Sequence, residues 1–140
     1  MKITFFTNTI LEHGGGLEKY FIDTAVALAD RYPASEISIV TFNEKRTEML
    51  QRILSIYYFK KMPIQNIYRE KTEDILRKLG RVQYVKCPSF AAVKNELKKA
   101  DVIYSKNEII DLALLKFFGY NNLPPVIAGV HTPIYYPIAV

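Results

Sequence analysis

Gly14-Gly15-Gly16 and Glu18 stand between a short apolar stretch, Ile3-Thr4-Phe5-Phe6-Thr7, and a run with apolar residues at three- and four-residue steps. Residues without Cβ atoms let a ligand approach the main chain. The first-turn N–H groups of a following helix then point at it, helped by the helix dipole. A phosphate or a sugar suits such a loop. A glycine triplet alone could equally be a tight turn, and its place between strand and helix is what favours a ligand. Far along the chain, His131-Thr132 follows the apolar run Pro125-Val126-Ile127-Ala128-Gly129-Val130. A lone histidine is more often structural, but one at the carboxyl end of a parallel strand can stabilise charge at a reacting centre. Glu108, behind Asn107 at a helix start, could bind ligand hydroxyls; as a first-turn acid it also simply suits the helix dipole, and that plainer role stands ahead. His13 reads as an exposed loop residue.

Other chemistries find little support. No His-x3-His or Cys-x2-Cys pair occurs, so a protein-bound catalytic metal is not expected. No Ser-His-Asp set can be argued from spacing. Cys87 is the sole cysteine, which excludes an internal disulfide and suits a reducing cytoplasm. Between Lys86 and Pro88 it reads as a structural thiol at a strand end.

These residues need elements to position them. Leu17, Tyr20, Phe21, Ala25, Leu28 and Tyr32 predict one apolar face of a first helix. Glu36 to Phe42 alternates as a second strand ended by Asn43, and Arg46 to Phe59 has helical spacing that Met62-Pro63 stops. Ile64 to Arg69 is ambiguous. Thr72-Glu73-Asp74 predicts an N-cap and acidic first turn for a helix through Leu79 that Gly80 ends. Val82 to Lys86 is a third strand, Ser89 caps a helix from Phe90 to Lys99, and Asp101 to Ser105 is a buried strand. Glu108 to Phe118 is apolar almost all round, predicting a helix packed on more than one side, and Pro125 to Val130 is the last strand.

Alternating strands and helices predict a doubly wound parallel sheet, Rossmann-like, with the first strand central. Ligands bind such sheets outside the carboxyl ends of the strands. Thr7 to Gly16, Ser105 to Glu108 and His131-Thr132 should therefore converge. A chain of 140 residues with 49% apolar content makes one domain with a real core rather than a disordered segment. No run is long and apolar enough for a transmembrane helix, and no signal-peptide pattern opens the chain. The apolar ending Tyr135-Tyr136-Pro137-Ile138-Ala139-Val140 lacks a closing helix, which predicts the first half of a longer protein.

The net charge of +5 lies wholly between Glu44 and Arg81, where ten Lys/Arg face five acids; the remainder carries nine of each. A solvated face is the default reading. An anionic-membrane contact through residues 45–61 comes next, since aromatic, apolar and basic residues mix there. Nucleic-acid binding comes last, because acids interleave the basic residues and no recognition motif appears.

Gly14-Gly15-Gly16-Leu17-Glu18-Lys19-Tyr20 resembles the GG-x-E-x-x start of retaining GT-B glycosyltransferases of the family 4 type. Asp101-Val102-Ile103-Tyr104-Ser105 and Val126-Ile127-Ala128-Gly129-Val130-His131-Thr132 resemble two further strands of that family, in the right order. The resemblance implies an N-terminal, acceptor-side Rossmann-like domain over residues 1–140 of a cytoplasmic sugar transferase. Its partners would be a nucleotide-sugar donor and a sugar or lipid-linked acceptor, and it needs no cofactor. The nucleotide-sugar-binding domain, with its Glu-x7-Glu motif, lies outside this chain, and this half alone would be inactive. By the same match, Gly15 and Gly16 lie against the donor diphosphate or the acceptor, and His131 lies at the reaction centre. Glu18 matches a motif position that gives helix-start electrostatics or acceptor contact. Residues 44–70 show no family pattern, and Tyr104-Ser105-Lys106-Asn107 departs from the usual sequence after the fourth strand. The alternatives are an NAD(P)-dependent Rossmann domain and a non-catalytic membrane-surface module. The first is opposed by His-Gly-Gly-Gly-Leu-Glu in place of G-x-G-x-x-G and by Asn43 where a ribose-binding acid belongs.

Overall fold

The computed structural model describes residues 1–57, 68–106 and 109–129. Five stretches rich in β-branched and aromatic residues form strands: β1 (Lys2–Phe6), β2 (Glu36–Phe42), β3 (Gln83–Cys87), β4 (Val102–Lys106) and β5 (Val126–Gly129). They make one sheet in the order β3-β2-β1-β4-β5, and every pairing is parallel. The helices are α1 (Gly16–Arg31), α2 (Glu44–Tyr57), α3 (Thr72–Leu79), α4 (Phe90–Lys98) and α5 (Ile109–Phe118). This is the doubly wound, Rossmann-like arrangement, with β1 at its centre. Among the described residues no helix is long and apolar enough to cross a membrane.

Because side chains alternate along a strand, neighbours on β1 and β2 enter opposite cores. Phe5, Ile37 and Ile39 pack with Phe21, Ile22, Ala25 and Ala29 of α1 and Ile75 and Leu79 of α3. Phe6, Val40, Phe42 and Ile103 pack on the other face with Val93 and Leu97 of α4 and Leu115 and Phe118 of α5. Full burial of each such phenylalanine contributes roughly 1.5–3 kcal/mol. Edge-to-face contacts add to it, as between Phe5 and Phe21 at 5.5 Å and Phe42 and Phe90 at 5.2 Å.

The amino ends of the strands are tightly tied. Arg81, just before β3, donates to the carbonyls of Ala29, Tyr32 (2.9 Å) and Ser35 (2.8 Å) and so holds the last turn of α1. Asp101 accepts from the Lys2 N–H at 2.7 Å while its own N–H donates to the Lys2 carbonyl at 2.8 Å.

Three local expectations are corrected. The buried face of α1 is Phe21, Ile22, Ala25 and Ala29, whereas Tyr20 and Tyr32 are exposed. Alanines let the helix approach the sheet closely, and the bulkier tyrosines lie at the margin. Thr72 does not cap α3, whose N-cap is Lys71 without a side-chain hydrogen bond. Nor is α5 packed on more than one side among the described residues: Asp111, Leu115 and Phe118 are buried along one stripe, but Phe117 is 75% exposed. By contrast, Ser89 caps α4 through Ala92 N–H at 3.1 Å, and Gly80 ends α3 at φ 58°.

Candidate functional site

The carboxyl end of β1 opens onto a loop in which each glycine has a different task. After the short 3-10 turn Leu11–His13, Gly14 adopts φ 67°, the left-handed region. A Cβ there would also lie 3.0 Å from the Arg69 Cβ. Gly15 is the N-cap of α1 and makes no side-chain cap. Over it folds the Glu18 side chain, one of whose oxygens would be 2.5 Å from a Cβ at Gly15. The other oxygen accepts from the Thr9 hydroxyl at 3.1 Å. Gly16, in the first turn, has open space around it. The helix start therefore presents a carboxylate above its backbone N–H groups. Such a site offers both acceptors and donors to a hydroxyl-rich ligand.

The loop is held from two sides. Towards β4, the Asn8 N–H donates to Asp111 of α5 at 3.0 Å, and Asp111 is fully buried. Towards β3, Glu12 is 4% exposed and gathers three donors: the Tyr84 hydroxyl at 2.6 Å, the Thr72 hydroxyl at 3.0 Å, and the Lys86 ammonium. Tyr84 in turn accepts from the Leu11 N–H at 3.0 Å. Tyr84 and Lys86 are two apart on β3 and so share a face. Lys86 also reaches Glu44 at 2.5 Å. His13 is half-buried and stacks on Tyr68, with ring centroids 5.8 Å apart. A cavity of about 340 Å³ lies beside this network, with Glu12, Glu44, Tyr68 and Thr72 in its wall.

Charge states follow from the geometry. Burial works against the charged Lys86, but hydrogen bonds and charge from Glu12 and Glu44 outweigh it and hold the ammonium above the ordinary lysine range. Burial would likewise raise Glu44, yet Lys86 and a backbone hydrogen bond bring its carboxyl below the usual value. Tyr84 is pushed far up by burial and by its bond to Glu12, so it stays a neutral donor. Burial pushes the Cys87 thiol up to about 11, as befits a structural cysteine. Among the described residues no group of His, Cys, Asp or Glu could hold a metal ion.

Of the residues singled out from sequence, Gly14, Gly15, Gly16 and Glu18 come together here. Glu108, His131 and Thr132 lie outside the described residues. The carboxyl ends of β4 and β5 lie at the same rim as that of β1: Phe6 of β1 pairs with Ser105, and Ser105 with Ala128. Those strand ends are one and two strand spacings from β1, roughly 5 and 10 Å. Sequence reasoning passed over Glu12, Tyr84, Lys86 and Asp111. A lone acid in the apolar run Ile109-Ile110-Asp111-Leu112 was the available signal for the last. Comparison of the chain with protein-family models, with curated proteins and with solved structures gives no match. Fold and rim together define a class, an α/β Rossmann-like domain with a polar site at the carboxyl end of its central strand.

Proposed function

We propose that the chain is the acceptor-side domain of a retaining glycosyltransferase that takes its sugar from a nucleotide-sugar donor. The observation that carries this reading is the Glu18 carboxylate, held by Thr9 over Gly15 at the start of α1. A carboxylate in that place repels a bare phosphate but orients an acceptor hydroxyl, and the loop N–H groups beside it favour charge developing on oxygen. The nucleotide site belongs to a second α/β half outside this sequence, and His131 contributes at the reaction centre. The dehydrogenase alternative is weaker. The Asn43 side chain at the end of β2 accepts from the Arg46 N–H at 2.9 Å, and Glu44 is engaged by Lys86, so no acid is available there for a ribose diol.

The test is sugar transfer by the protein of the full reading frame against a panel of nucleotide sugars. Glu18→Gln should raise the acceptor KM more than it lowers kcat. His131→Ala should lower kcat by about 10²-fold or more. Absence of donor turnover by the wild type, or unchanged kinetics in both variants, removes the reading.

A further inference from the structure

A second cavity, of about 560 Å³, opens at the carboxyl ends of β2 and β3, away from the glycine loop. Its wall includes Asn43, Lys45, Arg46, Met49, Arg52 and Pro88. Its size falls within the range of small-molecule pockets, and its place at the carboxyl rim is where open α/β sheets bind ligands. Three of the lining residues are cations, against the single acid Glu48, which accepts from the Tyr68 hydroxyl at 3.5 Å. Lys45 and Arg52 are exposed and have no ion-pair partner among the described residues.

Arg46 is already fixed. Its Nε donates to the Pro88 carbonyl at 3.1 Å, its Nη1 reaches the Met49 sulfur at 3.5 Å, and its guanidinium lies 5.7 Å from the Phe90 ring centre. These contacts leave further N–H groups of the fork available, and a guanidinium held in place loses little entropy on binding an oxyanion. Lys45 and Arg46 also lie in the first turn of α2, where the helix dipole disfavours cations. A bound anion relieves that cost. Met49 and Pro88 supply an apolar wall beside the charges.

We propose that this cavity binds a small phosphorylated molecule, a mono- or diphosphate ester with a compact apolar or planar body. The proposal stands apart from the transferase reading, since none of its lining residues belongs to the glycine loop. A nucleic-acid backbone is a poorer fit, because it needs a track of phosphate contacts rather than three cations around one cavity.

The test is an amide-resolved NMR titration of the chain with inorganic pyrophosphate and with phenyl phosphate, alongside sedimentation with phosphatidylglycerol vesicles. Saturable shifts confined to residues 43–52 and 87–90 are expected, with phenyl phosphate also moving the Met49 methyl. Lys45→Gln with Arg52→Gln should weaken binding about tenfold or more, while amide shifts elsewhere in the sheet stay unchanged. Arg46→Lys should weaken it as well, since an ammonium cannot replace the fork. Shifts centred on Gly14–Gly16, affinity unaltered by these substitutions, or vesicle binding without binding of either soluble phosphate would overturn the proposal.

Discussion

Lys86 stands between two carboxylates in unequal surroundings: Glu12 is nearly buried and Glu44 is half open to water. Taking away the ammonium leaves the Glu12 carboxylate inside the protein with Tyr84 and Thr72 as its side-chain donors among the described residues. Lys86→Met should therefore lower unfolding free energy by about 3 kcal/mol in urea denaturation. Adding Glu12→Gln should restore part of the loss, because the orphaned charge goes with it. A loss of a few tenths of a kcal/mol would mean that water already reaches Glu12. The pH dependence has two flanks. Glu44, lowered on folding from 4.5, contributes stability present above that value and lost as pH falls through its lower folded value. Lys86, raised on folding from 10.5, contributes stability present below that value and lost as pH rises past its higher folded value. Both flanks should flatten in Lys86→Met.

Among the elements, the loop between β1 and α1 holds one glycine that the backbone requires and one that it does not. Gly14→Ala forces a Cβ into the left-handed region and against Arg69, and should cost about 1–2 kcal/mol or more in thermal or urea unfolding. Gly16→Ala meets open space at a helix start and should be neutral or stabilising by about 0.5–1 kcal/mol. Equal effects from the two would show that the loop is not held as described. The elements themselves were legible. The alternation from Glu36 to Phe42 matches β2 residue for residue, and the central place of β1 followed from the strand–helix alternation. The place of the glycine loop, between β1 and the start of α1, could be read too. What stayed hidden has physical causes. Apolar residues line two adjacent stripes of α1, and periodicity cannot choose between them. Glu12 gave no signal in the sequence because its partners sit on α3 and β3, which the β1–β2–β3 pairing brings near. Thr72 marked the right helix start, but Glu12 draws its hydroxyl away from capping.

For the whole molecule, the sheet separates two cores, one on each face, among the described residues. Cys87 belongs to one of them, 2% exposed and with its thiol pushed up to about 11. At pH 8 its modification by an aromatic disulfide should be slow and should track global unfolding as urea is added. Rapid labelling of the native protein would mean that the α4/α5 side opens on its own. Arg81 adds an asymmetry of another kind. One guanidinium clasps the tail of α1 and the approach to β2, and Asp101 buckles β1 to the start of β4, all at the amino end of the sheet, opposite the glycine loop. The domain thus has a keel. Loops at the opposite mouth can be rebuilt, lengthened or rearranged around a new cargo while the hull beneath them keeps its lines.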